Sequence, residues 1–185
     1  MKKLLVILLV LFGLVVAAGH MMSPDMNLSR SVVIKAPAAK VHEYVGELKN
    51  WPTWEPWTDP EAGGDPTIKV TYGAATSGVG AHQSWTGKDG EGELTFTKSD
   101  PNEGVTYDMA FINGESKLPS QGKLTYKAVD GGVEVTWSMD AKMDMACCGG
   151  VIKYGPLMAS MMKGAIGDMF QFGLDKLKKK AEAGA

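Results

Sequence analysis

Residues 133–145 read VEVTWSMDAKMDM, and apolar residues occupy every second position of this stretch. The apolar positions are Val133, Val135, Trp137, Met139, Ala141, Met143 and Met145. Successive side chains of a strand point to opposite faces of a sheet, so this period of two predicts a long strand with one buried and one exposed face. A sheet with one solvent-exposed face is typically antiparallel, so this stretch favours an antiparallel sheet.

The same period of two recurs on both sides of this stretch. Residues 68–72, 105–111 and 124–128 alternate clearly, and weaker patterns predict strands at 81–87 and 91–99. The segments between them carry turn sequences, which are DPN at 100–102, NG at 113–114 and DGG at 130–132. Consecutive strands joined by such turns predict an antiparallel meander.

Helical patterns precede and follow the predicted meander. A short strand at 31–34 ends at Pro37, and apolar residues at 41, 44, 45 and 48 then indicate one face of a helix. Trp51, Trp54 and Trp57 are spaced by three, which suits a second short helical turn. The last helix opens at Gly155-Pro156. Its predicted buried stripe is Met158, Met162, Ala165, Met169 and Phe172, flanked by Ile166, Phe170, Leu174 and Leu177.

Composition excludes several classes of protein. The chain has 185 residues, 44% of them hydrophobic, and a formal net charge of -2. That length fits one domain, and the charge balance argues against a nucleic-acid binder, which usually carries a basic excess. Two cysteines cannot form a disulfide framework or a four-cysteine zinc site. We predict no metal and no cofactor.

The beginning of the chain predicts export. Lys2 and Lys3 precede an apolar run over 4–18, and Ala17-Ala18 supplies small residues before a cleavage point. Two interpretations stay open for residues 1–22, a cleaved signal peptide and an uncleaved membrane anchor that contacts the bilayer through residues 4–22. Both place the domain outside the cytoplasm, either anchored to the cell membrane or released as a periplasmic or secreted protein. Residues 23–29 are interpreted as a tether, and residues 30–181 as the folded domain.

Several short motifs in order resemble one superfamily. They are SVVIKAPAAKVHEY at 31–44, LKNWPTWEPW at 48–57, VTY at 70–72, SGVGA at 77–81 and IGDMFQFGLDKLK at 166–178. These resemble the helix-grip superfamily of START domains and pollen allergens, and within it the polyketide cyclase-like branch. The resemblance implies an α+β fold, in which a curved seven-stranded antiparallel sheet wraps around a long C-terminal helix, with two short helices after the first strand. It also implies an apolar cavity between sheet and helix.

We expect that cavity to bind a hydrophobic small molecule or lipid without catalysis. The predicted lining is Trp54, Trp57, Trp85, Tyr107, Met109, Phe111, Tyr126, Trp137, Met139, Met143, Met158, Met162 and Met169. Methionine suits this role because it adapts to varied apolar partners. The alternative is that these side chains form an ordinary packed core. In that case the interior is filled, and the protein is a structural or interaction module.

Two other sets of residues carry chemistry. Glu55 lies among apolar residues, and burial would raise its pKa and suit it to proton transfer in a cyclase or dehydratase-like enzyme. A solvated loop acid is the alternative. Met143, Met145, Cys147 and Cys148 are close in sequence and offer soft ligands for Cu(I). For the adjacent cysteines, a vicinal disulfide, a bond to another chain and two inert thiols all stay open.

Overall fold

One antiparallel sheet carries the fold. The computed structural model describes residues 2–88, 90–114, 116–150 and 152–184. The sheet consists of β1 (Asp25–Ile34), β2 (Lys69–Tyr72), β3 (His82–Gly87), β4 (Gly90–Asp100), β5 (Gly104–Asn113), β6 (Ser116–Val129) and β7 (Gly132–Lys142). The strand order is β1-β7-β6-β5-β4-β3-β2, so the six later strands form the predicted meander and β1 joins it at β7.

The two faces of β7 are those that the alternation predicts. Val135 and Trp137 have no accessible surface, whereas Asp140 and Lys142 are exposed. On the outer face, Thr136 pairs with Ser31 of β1, and their hydroxyl oxygens are 2.8 Å apart. We use the name concave face for the face of the sheet that carries Trp137 and that the C-terminal helix packs against.

The first strand is longer than its sequence suggests. It begins at Asp25 rather than at residue 31, and Asp25 pairs with Lys142 at the far end of β7. Met26 and Leu28 are buried at alternate positions of this added segment. Most of the predicted tether at 23–29 is therefore part of the sheet, because the long strand β7 offers a partner over this whole length.

The alternating pattern at 133–145 extends beyond the end of the strand that it predicts. β7 ends at Lys142, and the chain then forms a small hairpin of β8 (Ala146–Cys147) and β9 (Ile152–Lys153). The carbonyl of Met145 accepts hydrogen bonds from the backbone N–H groups of Tyr154 and Gly155, at 3.1 Å and 3.0 Å. These two bonds close the base of the hairpin directly before the last helix.

The two predicted short helices follow β1. The first is α2 (Ala38–Val45), and the second is a 3-10 helix at Leu48–Thr53, with a further 3-10 turn at Pro60–Ala62. The indole N–H of Trp51 donates to the carbonyl of Val45 at 2.9 Å, and the indole N–H of Trp54 donates to the carbonyl of Tyr44 at 3.2 Å. Both indoles therefore tie the second helix to the end of the first.

The last helix, α3 (Gly155–Ala183), buries a different face from the predicted stripe. Its buried residues include Gly167, Phe170, Gly173, Leu174 and Leu177, whereas Met158 and Met162 are exposed and Met169 is only half-buried. A Cβ added at Gly173 would lie 3.0 Å from the Trp137 ring. Glycine lets the helix approach the sheet closely, and this close approach selects the buried face.

The N-terminal helix stands apart from the sheet. It is α1 (Lys2–Met21), and its side chains at Leu4, Leu8 and Leu11 are more than half exposed. Near its end, Gly19 lies against the backbone carbonyl of Lys153 in the small hairpin. Among the residues described, no helix reaches the length and apolarity that crossing a membrane requires, and the predicted membrane anchor is not supported.

Candidate functional site

The space beneath the middle of α3 is filled by aromatic rings. Trp137 stacks on Phe170 with ring centroids 4.1 Å apart and an angle of 11° between the rings. Trp54 meets the other side of this stack edge-on, at 5.4 Å from Trp137. Trp54 and Trp137 are 0% exposed, and a side chain that lined a water-sized hollow would keep accessible surface. These two members of the predicted lining are therefore core residues.

Tyr107 completes this core through a buried polar contact. Its hydroxyl oxygen accepts a hydrogen bond from the indole N–H of Trp137 at 2.9 Å. Burial raises the pKa of Tyr107, so the hydroxyl stays protonated. The phenol ring lies over Gly122, where an added Cβ would meet ring atoms at 2.1 Å. Tyr107 is thus another predicted lining residue that packs tightly within the core.

The remaining buried members of the predicted lining belong to the same core or to the far end of the sheet. Met109, Met139 and Met143 are at most 9% exposed. Tyr126 pairs with Val135 and lies toward the opposite end of β7 from Met143. Its hydroxyl is 3.4 Å from the Nδ1 atom of His42 on α2, so it packs against the short helices.

An open groove begins where this core ends. Trp85, Phe111 and Leu118 follow one another across β3, β5 and β6 in one row of the concave face, with Gly92 of β4 between the two rings. The rings of Trp85 and Phe111 meet edge-on at 5.8 Å. Phe111 is 39% exposed although it points to the concave face, and Trp85 and Leu118 are only half-buried.

Glycine shapes the floor of this groove. A Cβ at Gly92 would meet the indole ring of Trp85 at 2.1 Å, so the ring lies flat over the strand at this position. No side chain of β4 separates Trp85 from Phe111, and the two rings form one continuous apolar surface. This floor presents ring faces and edges, and an apolar molecule can lie on it.

The exposed methionines of α3 lie on the side of the helix that faces away from the edge strand β1. Met162 and Met169 share one side with Lys176, because each is seven residues from the next, and Met158 lies one turn before Met162. The Nζ atom of Lys176 contacts Asp59 at 2.6 Å, in the loop beside Trp57. The opposite side of α3 is marked by Gly167, which packs on Arg30 of the edge strand β1.

Trp57 packs at the edge of the aromatic core. It is half-buried, and its ring meets Trp137 and Phe170 edge-on at 6.2 Å and 5.9 Å. Six residues of the predicted lining keep partial exposure, namely Trp57, Trp85, Phe111, Met158, Met162 and Met169. The sheet register brings Trp85 and Phe111 together with Leu118, and we use the name open groove for these three residues.

Leu118 is a groove residue that sequence reasoning missed. The predicted strand covers only residues 124–128. In the structure β6 begins at Ser116, and its pairing with β7 starts only at Ser120. At Pro119, β6 therefore pairs with β5 alone, so a proline at this position removes no hydrogen bond to β7. Leu118 lies an even number of residues before Leu124 and Tyr126, and this shared face was the signal available.

Glu55 is buried and bonded to its own loop. It is 5% exposed, and its carboxylate accepts hydrogen bonds from the N–H of Trp57 at 2.5 Å and the hydroxyl of Thr58 at 2.6 Å. Burial raises the pKa of Glu55, while these hydrogen bonds and the charge of Lys176 act in the opposite direction. The alternative of a solvated acid is therefore wrong, and both carboxylate oxygens stabilise the turn that positions Trp57.

We expect a Glu55→Gln variant to change how stability depends on pH. The native pKa of Glu55 is raised above its ordinary value of 4.5, so the native state holds the proton more tightly than the unfolded state. The wild-type protein therefore loses stability as pH rises through this window, and the variant lacks this loss. Urea unfolding between about pH 4 and about pH 7 should show the free energy of the variant rising relative to wild type. A constant difference across that range would contradict the raised pKa.

The sulfur atoms proposed for Cu(I) are not presented together. Met143 is buried in the core at 4% exposure, whereas Cys147 and Cys148 are exposed in the small hairpin. Within the described part of the chain, no group of three or more histidine, cysteine or acidic residues is arranged to hold a metal ion.

Family membership follows from the whole domain. The sequence profile of the family described as "Polyketide cyclase / dehydrase and lipid transport" matches residues 25–182, from the first residue of β1 to the last turn of α3. The chain belongs to this family. No curated protein matches the chain in sequence. The polyketide cyclase and lipid transport family accounts for the order of the motifs at 31–57 and 166–178.

Solved structures show the same fold at low sequence identity. A protein of Helicobacter pylori superposes with a TM-score of 0.59 and 12% identity, covering 84% of this chain and 87% of its own. A protein of Chromobacterium violaceum gives a TM-score of 0.57 and 12% identity, with coverages of 85% and 97%. The protein Ara h 8.0201 gives a TM-score of 0.50 and 14% identity, with coverages of 86% and 99%. These structures confirm the helix-grip fold of this member of the family.

Proposed function

We propose that the protein binds a hydrophobic small molecule or a lipid chain in the open groove, without catalysis. The observation that carries this proposal is the exposure of large apolar side chains on the concave face, where Phe111 is 39% exposed. An interior-facing aromatic ring that no protein group covers favours an apolar partner. Membership of a family that includes lipid transport supports the same class of ligand.

The chemistry of the groove suits an apolar ligand with no charged anchor. Its three residues are two aromatic rings and one leucine. Burial of apolar surface contributes about 25 cal/mol per Å², so a chain that covers a few hundred Å² needs no ion pair to be held. The exposed methionines Met158 and Met162 of α3 stay part of this proposal, because their flexible side chains can adapt to ligands of different shape.

Binding of a fluorescent fatty acid to the purified full-length chain tests this proposal. Of the five tryptophans, Trp85 lies on the groove floor, and a bound chain should quench its emission through contact. We expect saturable binding of the fatty acid, and a large part of the quenching should disappear in a Trp85→Phe variant that still binds. A Trp54→Phe variant is the matched control, because Trp54 is in the closed core. Absence of saturable binding would contradict the proposal.

A second candidate function uses the same groove for a cyclase or dehydratase reaction. The observation that favours it is the buried Glu55 with its raised pKa, in the same loop as the half-buried Trp57. A buried carboxyl group with a raised pKa can act as a general acid or base. This candidate requires turnover of a polyketide substrate, and a Glu55→Gln variant would lose that turnover and keep fatty-acid binding.

We also propose that residues 1–22 direct export of the domain. The support is the pair Lys2-Lys3, the apolar run at 4–18 and the small residues Ala17 and Ala18. A mature chain that begins at Gly19 in the exported fraction is the expected result of N-terminal sequencing. Recovery of the protein only from the cytoplasm, with its N-terminus intact, would contradict this proposal.

A further inference from the structure

Two adjacent thiols lie side by side in the small hairpin between β7 and α3. Cys147 ends β8, and Cys148 begins the turn that leads to β9. Both residues are exposed, and their Sγ atoms are 3.4 Å apart. Successive side chains of an extended strand point in opposite directions, so this proximity requires a special backbone conformation.

The backbone of the turn supplies that conformation. Cys148 has a φ angle of +56°, and it is the only residue other than glycine with a positive φ in the part of the chain described here. Gly150, two residues later, has a φ of +87° and lets the turn continue. Side chains other than glycine rarely adopt this left-handed conformation, and such strained positions occur often at functional sites. Here it brings the two thiols to the same side of the chain.

We propose that Cys147 and Cys148 form a reversible dithiol–disulfide redox site that exchanges with low-molecular-mass disulfides. The Cα atoms of adjacent residues are about 3.8 Å apart across a trans peptide, below the usual range of about 4.4–6.8 Å for disulfides. A disulfide between neighbours therefore closes a strained ring. Strained, exposed disulfides are reduced easily, so the site cycles between two states and does not serve as a permanent cross-link.

The exchange consists of two thiol–disulfide steps. One cysteine loses its proton, and its thiolate attacks a sulfur atom of the small disulfide, whose S–S bond breaks and releases one thiol. The second cysteine then loses its proton and attacks the sulfur of the mixed disulfide, which releases the second thiol. The protein loses two hydrogens and gains one S–S bond, and the small disulfide is reduced to two thiols. Interaction with the neighbouring Cys148 sulfur raises the pKa of the Cys147 thiol, so oxidation accelerates as pH rises.

The position of the hairpin confines this change to its tip. The carbonyl of Met145 holds the N–H groups of Tyr154 and Gly155, and Ala146 pairs with Lys153 below the thiols. Neither cysteine belongs to the buried core. Closing the S–S bond therefore requires only rotation within the turn, and the sheet and α3 keep their structure in both states.

Redox titration of the full-length protein tests this site. The reduced protein is equilibrated with glutathione and glutathione disulfide at a series of ratios, and free thiols are then alkylated and counted by mass spectrometry. We expect the two thiols to disappear together, as a monomer with two hydrogens fewer, and to return on reduction with dithiothreitol. Thiols that stay free at every ratio, or a covalent dimer, would overturn the proposal.

Single variants separate exchange at the pair from ordinary surface reactivity. In Cys147→Ser and Cys148→Ser, the remaining thiol should accumulate as a stable mixed disulfide with glutathione, because no neighbour displaces it. In the wild-type protein this adduct should stay a minor species. An equal amount of adduct in wild-type and variant proteins would show two independent thiols and overturn the proposal.

Discussion

Replacement of Trp137 by alanine is expected to lower the free energy of unfolding by about 3–5 kcal/mol, the usual cost of removing a large aromatic side chain from a core. Trp137 has no accessible surface, stacks on Phe170 at 4.1 Å and donates its indole N–H to Tyr107. The variant loses all these contacts and leaves a buried hydroxyl without a donor. Urea unfolding followed by circular dichroism measures the change.

The matched control for Trp137→Ala is Trp85→Ala. Trp85 is the same residue type on the same face of the sheet, but it is half-buried at the open groove. We expect it to cost less than half as much stability, because its ring already meets solvent. A similar loss in both variants would mean that the groove is as closely packed as the core. If Trp137→Ala does not fold, Trp137→Phe replaces it. We expect this variant to lose less stability than Trp137→Ala and still more than Trp85→Ala.

A charge placed on the floor of the groove is expected to weaken fatty-acid binding by about 30-fold or more. In Phe111→Asp, an apolar ligand would have to remove water from a carboxylate and would lose its contact with the ring. A loss of about 2 kcal/mol corresponds to this change in Kd, and burial of an unpaired charge commonly costs at least as much. Phe111 is 39% exposed, so the fold itself should tolerate the substitution.

Val79→Asp is the control for Phe111→Asp. Val79 is an apolar residue that is 69% exposed in the turn before β3, away from the groove residues. This variant adds the same charge and should leave the Kd for the fatty acid unchanged. Equal weakening in the two variants would indicate a nonspecific effect of charge. Unchanged binding in Phe111→Asp would place the ligand elsewhere on the molecule.

The faces of the strands could be predicted from sequence because a period of two admits only two registers. At 133–141 the apolar and polar sets are so distinct that one face had to be buried, and Val135, Trp137 and Met139 are on it. The same reasoning identified the groove residues Trp85 and Phe111 as inward-facing. It could not tell which inward positions the helix covers, since coverage depends on where α3 crosses the sheet.

The buried face of α3 could not be predicted from apolarity alone. The stripe that contains Met158 and Met162 is as apolar as the stripe that contains Phe170 and Leu174. The choice between them depends on the partner surface, where a Cβ at position 173 would lie only 3.0 Å from the ring of Trp137. Gly167 and Gly173 are buried against that surface, whereas Gly164 of the same helix is exposed, so glycine in the sequence does not identify the buried side.

The pairing of β1 with β7 has a consequence for how the chain folds. Ser31 and Thr136 are 105 residues apart, yet they are neighbours in the finished sheet. Closing a loop of that length is slow, and folds dominated by distant contacts fold slowly as a class. During synthesis, the first strand leaves the ribosome long before its partner exists. The apolar side of Met26–Ile34 therefore stays available to chaperones until the nascent chain has passed residue 142.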